Sequence, residues 1–368
     1  MTRFPASLTI LADDLTGACD TGALFAGRHS VPVTVWPTPA ANAPVRAVDT
    51  ETRALDGATA TERAVAAAIA APATRVFKKI DSTLRGHVGP EVHGLISAIG
   101  ARGVLLSPAF PALGRTVIER VLMIDGTPIV ETPLRHDPDF PRTDTGNVVE
   151  ILRLALDRPL AWIPLDQTRA DVDALAARLV RLRGTVAIAD AETDADLVNL
   201  IDAALAIEPS PLLVGSAGLA RALATRLGLL TKRVALPPAG RWLIVAGSRH
   251  PATRRQVAMA RVAGMRVIEP PEREAADRAK VATRLAAEAR RALERERFDL
   301  VAVTGGHTAV ALFEALRAER IDLVGVPAPG LAFGWLRAPA HPELAVLTKA
   351  GSFGAPDLFV NLYEEALA

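Results

Sequence analysis

The sequence of 368 residues contains a single cysteine, Cys19. One cysteine excludes an intramolecular disulfide and a zinc site built from several cysteines, and it favours a reducing compartment. The apolar run near the N-terminus ends at Asp13 and Asp14, too early for a signal peptide. Uncharged stretches such as 300–313 contain glycine and stay below the roughly 20 residues of a membrane span. We therefore expect a cytoplasmic protein without membrane contact.

An excess of charge of one sign is also lacking, because 42 Lys and Arg residues stand against 41 Asp and Glu residues. The net charge of +1 gives no basic signature for a nucleic-acid partner. Lysine itself is scarce: only five of the 42 basic residues are lysines, at positions 78, 79, 232, 280 and 349. A lysine is thus the exception in this chain, and its position is informative.

Several common motifs of enzymes are absent. The sequence has no G-x-x-x-x-G-K-[ST], which excludes a Walker-type phosphate loop, and no G-x-G-x-x-G, which weakens a dehydrogenase interpretation. It also lacks a G-x-S-x-G elbow and an H-E-x-x-H pair. The seven histidines are scattered, so we expect them at the surface or at helix caps rather than around a metal ion.

What the sequence does contain is an alternation of short apolar strands with amphipathic helices. This alternation predicts an α/β fold of two domains, each with a mostly parallel sheet flanked by helices. The longest predicted helix covers 274–297, and Pro237 with Pro238 marks a boundary between domains 1–235 and 236–368. The predicted strands are 8–12, 31–36, 76–80, 104–107, 160–164, 186–189, 212–214, 242–246, 265–268, 300–304, 323–326 and 344–348.

A strand, a glycine with Ser or Thr, and a helix follow one another at 212–218, 243–248 and 301–308. Glycine lets the backbone approach a ligand, and the first N–H groups of a helix suit phosphate. Ligands of open parallel sheets bind at the carboxyl ends of strands, where these turns are predicted. Glycine also simply ends strands, but three such turns together favour nucleotide binding.

Two polar clusters follow predicted strands in the N-terminal half. Asp13 and Asp14 come directly after the first strand, where one carboxylate could act as a base or bind a sugar hydroxyl. Alternatively, an Asp and Thr16 simply cap the next helix. Capping needs only one such residue, and adjacent like charges cost stability, so the second carboxylate favours a function.

The second cluster, at 78–91, begins with two of the five lysines and continues with Asp81, Ser82, Thr83, Leu84 and Arg85. Arg85 offers a bidentate fork to a carboxylate, and the two hydroxyls offer single hydrogen bonds. The alternative is a solvated turn with a surface pair of Asp81 and Arg85, worth under about 1 kcal/mol. Asp81 is a further candidate for the catalytic base.

Taken in order along the chain, these clusters resemble the four-carbon acid sugar kinase family, which includes 3-oxo-tetronate, D-threonate and D-erythronate kinases. The strings Asp13-Asp14-Leu15-Thr16-Gly17-Ala18 and Lys79-Ile80-Asp81-Ser82-Thr83-Leu84-Arg85-Gly86 are the most specific. Further matches are 107–116, Gly215 to Ala220, Gly247-Ser248, Gly305-Gly306-His307-Thr308, and Lys349-Ala350-Gly351-Ser352-Phe353-Gly354.

The resemblance implies that 1–235 binds the sugar acid and that 236–368 binds the nucleotide. It places contacts to the acid on Asp13 or Asp14, on Arg53, and on Asp81, Ser82, Thr83, Leu84 and Arg85. It places contacts to ATP on Ser248, Gly305, Gly306, His307, Thr308 and Gly351. His307 departs from the family, which usually has an acidic residue there.

The sequence therefore predicts an ATP-dependent kinase that phosphorylates the terminal O4 hydroxyl of a four-carbon sugar acid, with Mg²⁺ implied by the chemistry. Two half-sites on separate domains would have to close together. Lys349, a rare lysine after a predicted strand, is a candidate for the ATP phosphates. A kinase for another small hydroxy acid and a catalytically impaired sensor are the alternatives. The oligomeric state is left open, with a homodimer as one candidate.

Overall fold

The computed structural model describes residues 7–137, 139–141, 143–271, 277–351 and 353–367. The described residues divide into two compact units, the first within 1–13 and 44–229 and the second within 14–43 and 230–368. The predicted boundary at 235/236 lies close to the division at 229/230. Residues 14–43 were predicted to belong to the N-terminal half, but the strand of that segment pairs with a strand of the C-terminal half.

The first unit contains ten strands and seven α-helices among its described residues. The strands are β1 (Leu8–Ala12), β3 (Val45–Asp49), β4 (Arg75–Lys79), β5 (Val104–Ser107), β6 (Arg115–Ile118), β7 (Val121–Ile124), β8 (Thr127–Pro128), β9 (Leu160–Ile163), β10 (Val186–Ala189) and β11 (Leu212–Gly215). The helices are α2 (Gly57–Ala70), α3 (Val88–Ala98), α4 (Val148–Arg153), α5 (Leu165–Thr168), α6 (Val172–Arg181), α7 (Asp194–Leu205) and α8 (Ala217–Arg226). Three 3₁₀ turns lie at Pro111–Leu113, Ile129–Glu131 and Pro133–His136.

The main sheet of the first unit has the order β3-β1-β4-β11-β5-β10-β9, and every pairing in it is parallel. β6, β7 and β8 form a separate small antiparallel sheet. The central strands are buried on both faces, as expected of a parallel sheet covered by helices. Because all strands run the same way, the residues that follow β1, β3 and β4 lie at one edge.

The second unit is built from seven strands and five α-helices among its described residues. They are α1 (Leu15–Leu24), β2 (Val31–Val35), β12 (Trp242–Ala246), α9 (Pro251–Val262), β13 (Arg266–Ile268), α10 (Arg278–Arg295), β14 (Leu300–Thr304), α11 (Gly306–Ala315), β15 (Arg320–Gly325), β16 (Leu331–Ala338), β17 (His341–Lys349) and α12 (Leu358–Leu367). No described helix of either unit combines the length and the apolar character required to span a membrane.

The sheet of the second unit has the order β13-β12-β14-β17-β16-β15-β2. β13, β12, β14 and β17 are parallel, whereas β17, β16, β15 and β2 pair in antiparallel fashion. A core of apolar side chains, among them Trp242, Phe333 and Phe359, is buried in this unit. The carboxyl ends of β12, β14 and β17 therefore lie at one edge of the parallel part.

The predicted fold class is confirmed: the chain is an α/β protein of two units with largely parallel sheets flanked by helices. All twelve predicted strands are present, with ends shifted by up to three residues. The predicted helix at 274–297 is α10, and its first predicted residues, 274–276, lie outside the described residues. β3, β16 and the small sheet of β6 to β8 were not predicted from the sequence.

Candidate functional site

Asp13 follows β1 at the carboxyl edge of the first sheet and is bound by Arg53. The guanidinium donates from Nε to Oδ2 at 2.7 Å and from Nη2 to Oδ1 at 2.8 Å. Only 4% of Asp13 is exposed. Burial alone would raise the pKa of this carboxyl, but Arg53, with the more distant Lys78 and Lys79, holds it below its usual value. Asp13 is therefore a carboxylate at neutral pH.

The loop after β4 carries the predicted cluster of Asp81 to Arg85. Arg85 donates to both carboxylate oxygens of Asp81, at 3.1 and 2.7 Å, and lies 3.5 Å from a carboxylate oxygen of Asp137. The Thr83 amide and hydroxyl also donate to Asp81. Burial would raise the pKa of Asp81, but Arg85 leads the groups that keep it well below its usual range. Asp81 and Arg85 therefore form the predicted ion pair, but the pair is half-buried and not at the solvated surface.

Lys78, the penultimate residue of β4, forms an ion pair with Glu91 of α3, and both side chains are 1% exposed. Glu91 also accepts from the Thr52 hydroxyl at 2.9 Å, and the hydroxyl oxygens of Thr52 and Thr50 lie 2.9 Å apart. The Thr50 hydroxyl donates to the carbonyl of Ala12. This buried chain ties the loop that carries Arg53 to β1 and β4. The two lysines stand out in the sequence, but the pairing of Lys78 with Glu91, 13 positions further along the chain, does not.

Backbone strain marks both loops of this edge. Glu51 and Leu84 have φ of 49° and 60°, which costs non-glycine residues about 1–3 kcal/mol. Gly86 has φ of 87°, and a Cβ added there would come within 2.9 Å of Asp13 Oδ2. A cavity of about 440 Å³ lies beside these loops, with Arg53, Leu84 and Gly86 in its lining. Ser82, the remaining predicted contact, is half-buried.

Asp14 belongs to the second unit and is the N-cap of α1. Its carboxylate accepts from the Gly17 amide at 2.9 Å and from the Thr16 hydroxyl at 2.7 Å. The capping alternative therefore holds for Asp14, which leaves Asp13 as the second carboxylate. Asp14 also lies against the start of α11, since a Cβ on Gly306 would come within 2.9 Å of its Oδ2.

Two glycine turns of the second unit meet at the carboxyl edge of its sheet. Gly247 follows β12, and a Cβ there would lie 1.8 Å from the Thr308 hydroxyl oxygen of α11. Gly305 follows β14 with φ of 93°, and a Cβ there would lie 3.3 Å from the Ser248 amide nitrogen. Only glycine allows this close approach. The structure thus brings together Ser248, Gly305, Gly306 and Thr308, and it places half-exposed His307 in the first turn of α11.

Lys349 ends β17 beside these turns, because it is paired with Thr304 of β14. It is 1% exposed, and its ammonium donates to the carbonyls of Ala350 and Gly351 at 2.9 and 3.2 Å. Burial lowers its pKa to about 8. A Cβ on Gly351 would come within 2.2 Å of the Ser248 hydroxyl oxygen, so the turn after Lys349 also lies against the turn after β12.

The segment after Lys349 is held by α9. Thr253 donates to the carbonyl of Gly351 at 2.7 Å, and the buried Gln256 amide donates to the carbonyls of Phe353, Gly354 and Ala355, each at 2.9 Å. Ser352 of the predicted motif lies outside the described residues. Nothing in the sequence singled out Gln256, because its function depends on a contact almost 100 positions away.

One of the three predicted phosphate turns belongs elsewhere. Gly215 and Ser216 belong to the first unit, whereas the other two turns belong to the second unit. Ser216 caps α8 with its own side chain, accepting from the Gly218 amide at 3.0 Å and donating to the carbonyl of Ala109 at 2.6 Å. A Cβ on Gly218 would come within 2.7 Å of that carbonyl oxygen. The glycines of this turn therefore serve close packing of helix against backbone.

Two family models match this chain, one in each half. A family model described as a sugar-binding N-terminal domain matches residues 8–223, and one described as a nucleotide-binding C-terminal domain matches residues 263–359. The chain is 31% identical to a D-threonate kinase of Salmonella typhimurium, over 95% of each chain. The chain belongs to the four-carbon acid sugar kinase family. The predicted resemblance is thereby confirmed.

A 3-oxo-tetronate kinase of Pseudomonas fluorescens is 29% identical over 96% of this chain and 95% of its own.

Solved structures of other proteins share the fold of this family member. A protein from Salmonella typhimurium LT2, solved as a putative tRNA synthase, matches with a TM-score of 0.81 over 98% of each chain, at 21% identity. A protein of unknown function from Bordetella bronchiseptica is 29% identical and matches with a TM-score of 0.51 over 98% of each chain. The latter is a domain-swapped dimer with bound citrate.

Proposed function

We propose that this protein is an ATP-dependent kinase that transfers a phosphoryl group to the terminal O4 hydroxyl of a four-carbon sugar acid. Relatives that are named for this class of substrate support the proposal. The observation that carries it is the division of chemistry between the units. Paired carboxylates and cations line the sheet edge of the first, whereas glycine turns and a buried lysine line that of the second.

The first unit would bind the sugar acid through Asp13, Arg53 and the loop of Asp81 to Arg85. We assign to Asp13 the contact with the attacking hydroxyl, because it is buried at a strand end and deprotonated at neutral pH. A carboxylate of low pKa is a weak base. That suffices here, since phosphoryl transfer depends mainly on positioning and electrostatic stabilisation. Asp81, tied to Arg85 and Thr83, would orient the same loop.

The second unit would bind ATP. The first turn of α11 offers backbone N–H groups to phosphate, and Gly247, Gly305 and Gly351 keep side chains away from them. The ammonium of Lys349 has neutral carbonyls as partners, so its charge is available to a phosphate oxygen. Ser248, between the glycine turns, would add a hydroxyl contact.

Mg²⁺ fits this assignment. The ion keeps several waters and is usually held by one or two carboxylates and the substrate's phosphates. Among the described residues there is no group of three or more His, Cys, Asp or Glu placed to hold a metal, which leaves the phosphates as its main ligands. Asp14, against the start of α11, is the carboxylate that would complete its shell. Bound there, Mg²⁺ would neutralise charge on the transferred group.

Release of ADP across a panel of acids tests the proposal. Purified protein with Mg²⁺ and ATP should release ADP with at least one of the D- and L-threonates, D- and L-erythronates and their 3-oxo forms. Release with other small hydroxy acids alone would favour the kinase of different specificity. Nucleotide binding without ADP release under any acid would favour the sensor, an alternative motivated by His307 in the first turn of α11.

A further inference from the structure

The cations at the edge of the first sheet differ in what they bind. The guanidinium groups of Arg53 and Arg85 each donate two hydrogen bonds to one carboxylate, that of Asp13 and that of Asp81 respectively. Lys78 forms an ion pair with Glu91. Each of these positive charges is thus matched by a carboxylate of the protein itself. A substrate carboxylate would have to compete with that partner.

Lys79 is the exception. It ends β4, only 6% of it is exposed, and within the described part of the chain its ammonium forms no ion pair and donates no hydrogen bond. Neighbouring residues of a strand point to opposite faces, so Lys79 cannot share the partner of Lys78. A buried ammonium that no carboxylate contacts directly is unfavourable, and an anionic ligand bound to it would reduce that cost.

The position of Lys79 fits a ligand of this site. β4 pairs with β1, and Leu11 of β1 is paired with Lys78 of β4. Lys79, the next residue of β4, is therefore close to the end of β1, which Asp13 follows. Its charge is among those that lower the pKa of Asp13, yet both Asp13 oxygens are already held by Arg53. Two residues further on, Asp81 is likewise occupied by Arg85.

We infer that Lys79 binds the carboxylate of the sugar acid. The inference rests on the proposed function for the identity of the acid, and it goes further by separating two sets of cations. Arg53 and Arg85 shape the loops by pairing with Asp13 and Asp81, whereas Lys79 supplies the positive charge that distinguishes an acid from a neutral four-carbon polyol.

The neighbouring lysines allow a matched pair of variants. Lys79→Met removes a charge that no protein carboxylate contacts directly, so it should lower the melting temperature of the ligand-free protein by far less than the loss of an ion pair would. Lys78→Met leaves Glu91 buried and unpaired and should lower it by about 5 °C or more. Lys232→Met, at an exposed position, is the neutral control. A fall in melting temperature for Lys79→Met like that for Lys78→Met would show a structural role and overturn the inference.

Calorimetric titration without nucleotide then measures binding of D- and L-threonate, D- and L-erythronate, and erythritol. For the acid that the wild type binds most tightly, Lys79→Met should weaken affinity roughly 10- to 100-fold and abolish the preference over erythritol. Unchanged affinity for the acid, with or without a fall in kcat, would overturn the inference. A wild type that binds none of the four acids would do the same.

The outcome is separable from that of the proposed function. Acid binding that depends on Lys79, in a wild type that releases no ADP, would support the inference and contradict the kinase. Release of ADP with unchanged acid affinity in Lys79→Met would contradict the inference and leave the kinase intact.

Discussion

Asp13 and Asp14 are adjacent in the chain, and their carboxylates have separate partners. Asp13 is held by Arg53, and Asp14 caps α1. Asp13→Asn should lower kcat by about 10²- to 10⁴-fold, the usual range for a lost general base. Because the pKa of Asp13 is below its usual value, kcat/KM should show no loss from this group between pH 7 and about pH 5. Steady-state kinetics across this range measure both effects.

Asparagine caps a helix as well as aspartate does, so Asp14→Asn tests the charge while Asp14→Ala tests charge and cap together. We expect Asp14→Asn to melt close to the wild type and to require more Mg²⁺ for half-maximal rate. Asp14→Ala should in addition lose about 1 kcal/mol of stability. If both asparagine variants, at 13 and at 14, keep the wild-type kcat, the base lies elsewhere, with Asp81 the next candidate.

Lys349 gives a prediction about pH. Burial lowers its pKa to about 8, so the ammonium is charged at pH 7 and loses its proton as the pH rises through 8. If it contacts the ATP phosphates, KM for ATP should increase about tenfold per pH unit above 8, and KM for the acid should not. Lys349→Ala should abolish this dependence and raise KM for ATP at pH 7, and Lys349→Arg should raise it less.

The exposed Lys280 provides the control, since Lys280→Ala should change neither KM nor its pH profile. Wild-type kcat and KM for ATP in Lys349→Ala would show that this lysine only anchors its own turn through the carbonyls of Ala350 and Gly351.

At the scale of elements, the glycine turns of the second unit depend on the absence of a side chain. Gly247→Ala would place a methyl group 1.8 Å from the Thr308 hydroxyl oxygen and force β12 and α11 apart. We expect a loss of about 1–3 kcal/mol of stability and at least a tenfold rise in KM for ATP. Gly240→Ala is the control in the same unit, since its nearest neighbour would lie 3.7 Å away. Equal kinetics of the two variants would contradict the predicted nucleotide turn.

Strands with an unbroken apolar run were predicted from the sequence, whereas two strands in which a charged residue or glycine interrupts the apolar run were missed. The apolar runs of β1, β12 and β14 were predicted to the residue. β3 was missed because Arg46 interrupts it, and this buried arginine is accommodated by hydrogen bonds to Thr9 and to the carbonyl of Pro72. β16 was missed because Gly330 and Gly334 resemble a loop, although Gly334 serves close backbone approach to Asp322.

The residues of the candidate site also differ in how far the sequence predicts them. Short motifs of the sequence predict Asp13, Arg53 and the 81–85 loop as site residues, and these assignments stay predictions. The pair of Lys78 with Glu91 and the contacts of Gln256 depend on tertiary distance, which no local pattern encodes. Only the structure could show which cations are already occupied by protein carboxylates.

At the scale of the whole molecule, the two ligands should protect different parts of the chain from hydrogen exchange. A four-carbon acid should slow exchange at 49–53 and 79–86, in the first unit, and ATP should slow it at 247–253, 304–309 and 349–351, in the second. Protection of the first set by ATP alone, or of the second set by the acid alone, would contradict the assigned division of roles.

The most direct measurement for the whole account is identification of the product. Purified protein is incubated with Mg²⁺, ATP and the acid that releases most ADP, and the acid is examined by mass spectrometry and by ³¹P-coupled proton NMR. The product should be a singly phosphorylated four-carbon acid with phosphorus coupled to the protons on C4. Recovery of unmodified acid while ATP is hydrolysed, or phosphorus on the carboxylate, would contradict it.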